Sequence, residues 1–260
     1  MTEKFKSMLM IWLPLVIATF VIAGVILTVF SSSSLLPFKR TDKSLKKTNA
    51  IVSATLYKTF KVLDEVFAEN DIDYWIVTGT LLGAVRHKGL IPWNDGGDIQ
   101  FCEKDVNKVL EIEGEFKKRG YQLLGMYGGY RLVPTVRPTR KHFPAIDLCP
   151  VKIEGSKIFP AWKEDKYWNY KIRNYFTHDE LYPLKSMEFG PLKLSAPNKP
   201  IAHIRRYYGD DWNEVAYMIF DHHRWKKVSE VKTLLVNRSP TDYDNEVFLG
   251  KIPRTWKAQQ

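Results

Sequence analysis

Cysteine is nearly absent: two residues, Cys102 and Cys149, stand in a chain of 260. Two cannot build a disulfide scaffold or a complete four-cysteine zinc site, and they leave the redox compartment open. Nor is there a sustained heptad or a repeat of fixed period, which excludes coiled coils and solenoids. Acids are in the minority, 29 against 39 Lys and Arg, so the formal charge is +10. That excess suits an anionic partner, such as lipid head groups or a phosphorylated molecule. No Ser-His-Asp or Cys-His arrangement is evident. Hydrophobic residues make up 45% of the chain, with 8 Trp, 13 Tyr and 14 Phe, too apolar for a mainly disordered protein.

Charge is missing altogether from Met8 to Phe30. A helix over those 23 residues crosses a hydrocarbon core of about 30 Å, and Pro14 is tolerable in such a helix. Residues 8–30 therefore read as a single-pass anchor behind a short tail, 1–7. A basic linker, 31–50, would follow, and one globular domain, 51–260. Residues 39–61 carry seven Lys or Arg and one acid, equally suited to anionic lipid and to a solvated helix face. Counting flanking charges leaves the large domain in the cytoplasm, although long domains translocate against such a bias. The sequon Asn237-Arg238-Ser239 is followed by Pro240 and is a weak lumenal signal.

Periodicity supplies the elements. Leu56, Phe60, Leu63 and Phe67 recur at helical spacing, and Asn70-Asp71 ends that helix. Tyr74–Val77 reads as a strand running through Thr78-Gly79-Thr80 into a helix, Leu81–Lys88, stopped by Gly89. Asp98–Phe101 alternates like a strand, and 103–119 reads as one helix closed by Gly120. Strand-like runs follow at Tyr121–Leu124, Tyr130–Val133 and Phe143–Cys149. A hairpin turning on Glu154-Gly155-Ser156 comes after them. The sum is an α/β domain with a mixed sheet.

Chemistry concentrates in 78–98. A strand ending in a Gly turn that opens a helix presents N–H groups to phosphate, and Arg86, His87 and Lys88 add cationic donors. Asp147 lies inside the apolar run Ala145-Ile146-Asp147-Leu148-Cys149. A carboxylate there needs either a metal or a buried salt bridge to an arginine. Cys102 and Cys149 would share a face with Asp98 and Asp147, as a disulfide or as two core thiols. The basic–aromatic stretch 159–176 reads as core packing first, a sugar-stacking surface second and a nucleic-acid surface a distant third. Asp221-His222-His223 is a poor zinc site, with no further ligand at a suitable spacing.

The run GTLLGAVRHKGLIPWNDGGDI, residues 79–99, resembles the signature of the LicD/fukutin family, close to GTLLGAVRHxGFIPWDDDIDI. The strand around Asp147, the block from Glu180 to Asn198 and Tyr207-Tyr208-Gly209-Asp210-Asp211-Trp212 resemble later parts of that family, in order, over about 70–215. The resemblance implies a nucleotidyltransferase-like mixed sheet with flanking helices. The activity it implies is transfer of phosphocholine or ribitol phosphate from a CDP-linked donor to a glycan or glycolipid, with Mg²⁺ or Mn²⁺. On the matched positions Asp95, Asp98 and Asp147 would hold metal, Asp147 alternatively acting as base. Gly79, Thr80, Arg86 and His87 would hold donor phosphate. A Golgi or endoplasmic-reticulum anchor would suit such a transferase. One departure stands out: Gly96 occupies the place of the first Asp of an Asp-x-Asp pair. Either a bulge at Gly96-Gly97 returns Asp95 to the face of Asp98, or the metal site is weakened and the chain is an inactive relative.

Overall fold

A computed structural model describes residues 45–136, 144–161, 173–221 and 226–251. The expected anchor at 8–30, most of the basic–aromatic stretch and the two adjacent histidines lie outside the described residues. Among the described residues no helix is long and apolar enough to cross a membrane.

The apolar stripe forms the long helix α1, Ala50–Glu69, with Asn49 capping its first turn through Oδ1 to the Ile51 N–H. Leu56, Phe60, Leu63 and Phe67 are fully buried along it, each worth about 1.5–3 kcal/mol. Asn70 caps its end, and Asp71 turns the chain with φ +49°. Strand β1, Tyr74–Ile76, leads into α2, Thr78–His87. That helix stops one residue earlier than expected, because Lys88 takes the left-handed conformation, φ +59°. Gly89 serves packing: any Cβ there would press on the Tyr57 hydroxyl.

Strand β2, Gly96–Cys102, is longer than the alternation suggested. The single helix expected over 103–119 is divided. A 3-10 turn, Glu103–Asp105, precedes α3, Val106–Glu111, and Ile112 breaks the path before α4, Glu113–Lys118. Strands β3, Tyr121–Met126, and β4, Gly129–Pro134, make a hairpin. Strand β5, Ala145–Glu154, fuses two expected runs and turns into β6, Lys157–Pro160, which pairs with β7, Phe176–Thr177. The sheet order is β1-β2-β5-β4-β3, with β6 and β7 branching from β5; β2 and β5 are parallel and the other pairs antiparallel. The mixed α/β expectation is met.

A short helix, α5, His178–Leu181, precedes the hairpin of β8, Lys185–Phe189, and β9, Leu192–Ala196. Helix α6, Pro200–Tyr208, then brings the Tyr-Tyr-Gly-Asp-Asp-Trp block up to α2. Strands β10, Val215–Asp221, and β11, Lys226–Leu234, pair with each other, and α7, Asn245–Phe248, returns to α1.

Candidate active site

Side-chain parity on the central strands sorts the residues. Gly97, Ile99 and Phe101 of β2 turn towards α1, where Phe67 meets Phe101 edge-on and Phe60 lies over Gly97. Asp98 and Gln100 therefore turn the other way. Parallel pairing sets Asp98 opposite Asp147 and Gln100 opposite Cys149. Antiparallel pairing sets Arg131 of β4 opposite Asp147. One row across three strands thus reads Asp98, Asp147, Arg131.

Arg131 closes that row. Its Nε and Nη2 donate to the two oxygens of Asp147 at 2.6 and 2.8 Å, a bidentate fork with each side chain about one-fifth exposed. Asp147, then Asp98, hold the guanidinium pKa above its usual range. Burial pushes the Cys149 thiol well up, and the charges of Asp98 and Asp147 push it further. Cys102 and Cys149 are both free thiols.

On its other side Asp98 is locked to the start of α2. Thr78 Oγ1 donates to Asp98 Oδ2 at 2.6 Å, and the Asp98 N–H donates to Thr80 Oγ1 at 2.9 Å. Thr78 sits at φ +47°, costly for a β-branched residue and maintained here by the bond to Asp98. The Thr80 and Leu81 N–H groups both turn back to the Val77 carbonyl, so Thr78 and Gly79 carry the donors a helix start leaves for an anion. A side chain at Gly79 would stand 3.2 Å from Asn94 Nδ2.

Other expected residues take different places. Strand β2 pairs with β5 without a register shift from Gly96 to Cys102, so the expected bulge is absent. Gly96 shares the face of Asp98, while Asp95 lies before the strand, 9% exposed. Arg86 is 7% exposed and gives Nη1 to the carbonyls of Trp212 and Val215 at 2.5 and 3.0 Å. It ties the C-terminal block to α2, where a donor-phosphate contact was expected. His87 is fully buried, edge-on to Trp93. Burial and the neighbouring Arg86 charge lower its pKa to about 3, so it is neutral and brings no charge to a phosphate. Sequence reasoning passed over Arg131, Thr78 and Tyr208. The Tyr208 phenol is held well above its usual pKa by burial, by Tyr207 and by Asp98.

Among the described residues, no group of three or more His, Cys, Asp or Glu is placed to hold a metal ion. The expected three-acid set is not assembled. Mg²⁺ accepts one or two carboxylates when substrate phosphates and water supply the rest. Both oxygens of Asp147, however, are already engaged by Arg131. As it stands, this donor set does not fit a resident divalent cation.

A family model described as LicD/FKTN/FKRP, nucleotidyltransferase domain, matches residues 71–199. Uncharacterized proteins of Rickettsia typhi and Rickettsia prowazekii are each 32% identical to the chain, over 175 and 176 residues. These alignments cover 65% of this chain, and 50% and 59% of those relatives. The chain thus spans little more than half the length of the curated relatives it matches. A lipopolysaccharide cholinephosphotransferase, LicD, of Haemophilus influenzae is 39% identical over 41 residues, 16% of each chain. Among solved structures, the lincomycin-bound lincosamide antibiotic adenylyltransferase LnuA aligns at TM-score 0.35 and 15% identity, over 55% of this chain and 80% of that one. The antibiotic-resistance factor ANT(2'')-Ia aligns at 0.34 and 13%, over 61% and 74%.

Proposed function

We infer, from a chain that carries over residues 71–199 the nucleotidyltransferase domain of the LicD/FKTN/FKRP family, that this protein is a transferase. In this reading it moves a phospho-alcohol group, of the phosphocholine or ribitol-phosphate type, from a CDP-linked donor to a hydroxyl of a glycan or glycolipid, tethered to a membrane through residues 8–30. One observation carries it: the lock between the Thr78–Thr80 turn and Asp98, which sets the first N–H groups of α2 beside a half-buried carboxylate.

The chain's own groups have these roles. The N–H groups of Thr78 and Gly79 hold a donor phosphate oxygen. The acceptor oxygen bonds to phosphorus as the bond to the departing CMP oxygen breaks, and Asp98 receives the acceptor's proton. Arg131 offsets the negative charge of Asp147 beside the transferred group. Buried Arg86 keeps the block from Trp212 to Val215 closed over α2.

The test is CMP release from CDP-choline, CDP-ribitol and CDP-glycerol with a glycan acceptor, for the wild type and Asp98→Asn. One donor is expected to turn over, and D98N to lose about 10²–10³ in rate with its fold intact, the scale of one lost transition-state group. A second reading, a catalytically silent binding protein, draws on Gly96 in register and on the closed Asp147–Arg131 pair. For that reading CDP raises the melting temperature and no donor turns over.

A further inference from the structure

Asp98 and Asp147 face each other across neighbouring parallel strands, whose backbones run about 4.8 Å apart. Two carboxylates that close repel unless a positive charge accompanies them. That charge comes from the chain itself. Arg131 reaches the row from the third strand, its position set by pairing opposite Asp147. Its planar fork meets both Asp147 oxygens, at 2.6 and 2.8 Å. A divalent cation bound by Asp147 would have to compete with both charge-assisted bonds and sit beside a guanidinium of its own sign. The second carboxylate that could recruit a cation next to Asp98 is missing, since Gly96 holds that place on the same face.

We propose that Arg131 is the built-in counter-ion of this site and stands where a resident divalent cation would otherwise neutralise the Asp98–Asp147 pair. Asp147 in the native protein is a partner of arginine and contributes nothing to cation affinity. This assignment goes beyond the transferase reading and is independent of it, because it concerns which charge balances the pair before any donor arrives.

The experiment titrates the full chain with Mn²⁺ alone, following the free-ion signal by electron paramagnetic resonance, with no donor and no turnover measured. Arg131→Met is expected to bind Mn²⁺ at least about tenfold more tightly than wild type, since Asp147 then needs a cation. The double variant R131M/D147N is expected to return to within about twofold of wild type, because the gain passes through Asp147. Arg131→Lys keeps the charge and is expected to gain less than R131M. Arg131→Gln, which can still hydrogen-bond Asp147, carries the same expectation as R131M should the latter fail to fold. Equal affinity in wild type and R131M or R131Q overturns the proposal. So does a gain that persists in the double variant, or an R131K gain as large as that of R131M.

Discussion

The two faces of the central sheet obey different rules although they alternate along the same strands. Towards α1 the strands offer Gly97, Ile99, Phe101, Ile146 and Leu148, all buried. Away from it stand Trp75, Asp98, Gln100, Asp147, Cys149 and Arg131, whose amide and charged groups are paired. Trp75 Nε1 donates to Gln100 at 3.1 Å, Thr78 to Asp98, and Arg131 to Asp147. The apolar face sets register, because a slip of one residue would turn Asp98 and Asp147 into the core. The polar face inherits that register and holds its charges by short-range pairing. Stability is therefore concentrated on one face and chemistry on the other.

Phe60→Ala attacks the first face and has the largest expected effect. Phe60 is fully buried, packs edge-on to Phe189 at 5.2 Å and lies over Gly97. Its truncation is expected to cost about 3–5 kcal/mol, measured by urea denaturation. A loss below about 1 kcal/mol would mean that register is set elsewhere, and the contrast between the faces would fail.

Phe60 also explains what the sequence could and could not disclose. The stripe on α1, the strands flanking 78–98 and the mixed sheet were legible because their signals are local periods. The double glycine offered a bulge as one of two readings, because glycine frees the backbone. Gly97 has another cause: a Cβ there would collide with the Phe60 ring, a contact made across 37 positions of sequence. Asp147 posed the right alternatives, metal or arginine, but the arginine arrives through the register of β4 on β5, which no local pattern encodes. The one available trace was that Arg131 interrupts the apolar run Tyr130–Val133. Arg86 and His87 misled for a related reason. Their charge type suggested phosphate, whereas α2 turns both inward.

Gly96→Asp sharpens the second face. Nothing in the packing requires glycine there: a Cβ would meet only the Ala145 carbonyl oxygen, at 3.8 Å. The new carboxylate would share the face of Asp98, two residues away, without disturbing Phe60. Mn²⁺ affinity is expected to rise about tenfold, or about 1.4 kcal/mol, with the fold retained. Isothermal titration with Mn²⁺ checks this. An unchanged affinity would mean that parity alone does not assemble a cation site on this face.

The smallest effect concerns two buried histidines, His87 and His203, which contribute stability only while neutral. Burial, with the Arg206 charge beside it, holds His203 at about 4 as it stacks on Phe176, centroids 4.0 Å apart, against the opposing pull of the Tyr175 carbonyl and Glu180. His87 is held at about 3 by burial and Arg86. Both folded values lie below the ordinary 6.5, so the unfolded chain takes up these protons first. The stability they contribute is present above pH 6.5 and is lost as pH falls towards 4 for His203 and 3 for His87. Between pH 7 and pH 6 each should cost about 0.7 kcal/mol. His203→Gln and His87→Gln should each remove its share of that slope when unfolding free energies are compared at the two pH values. A wild-type protein equally stable at pH 7 and pH 6 would mean that both rings accept protons in the folded state, and hence that the pockets around them admit water.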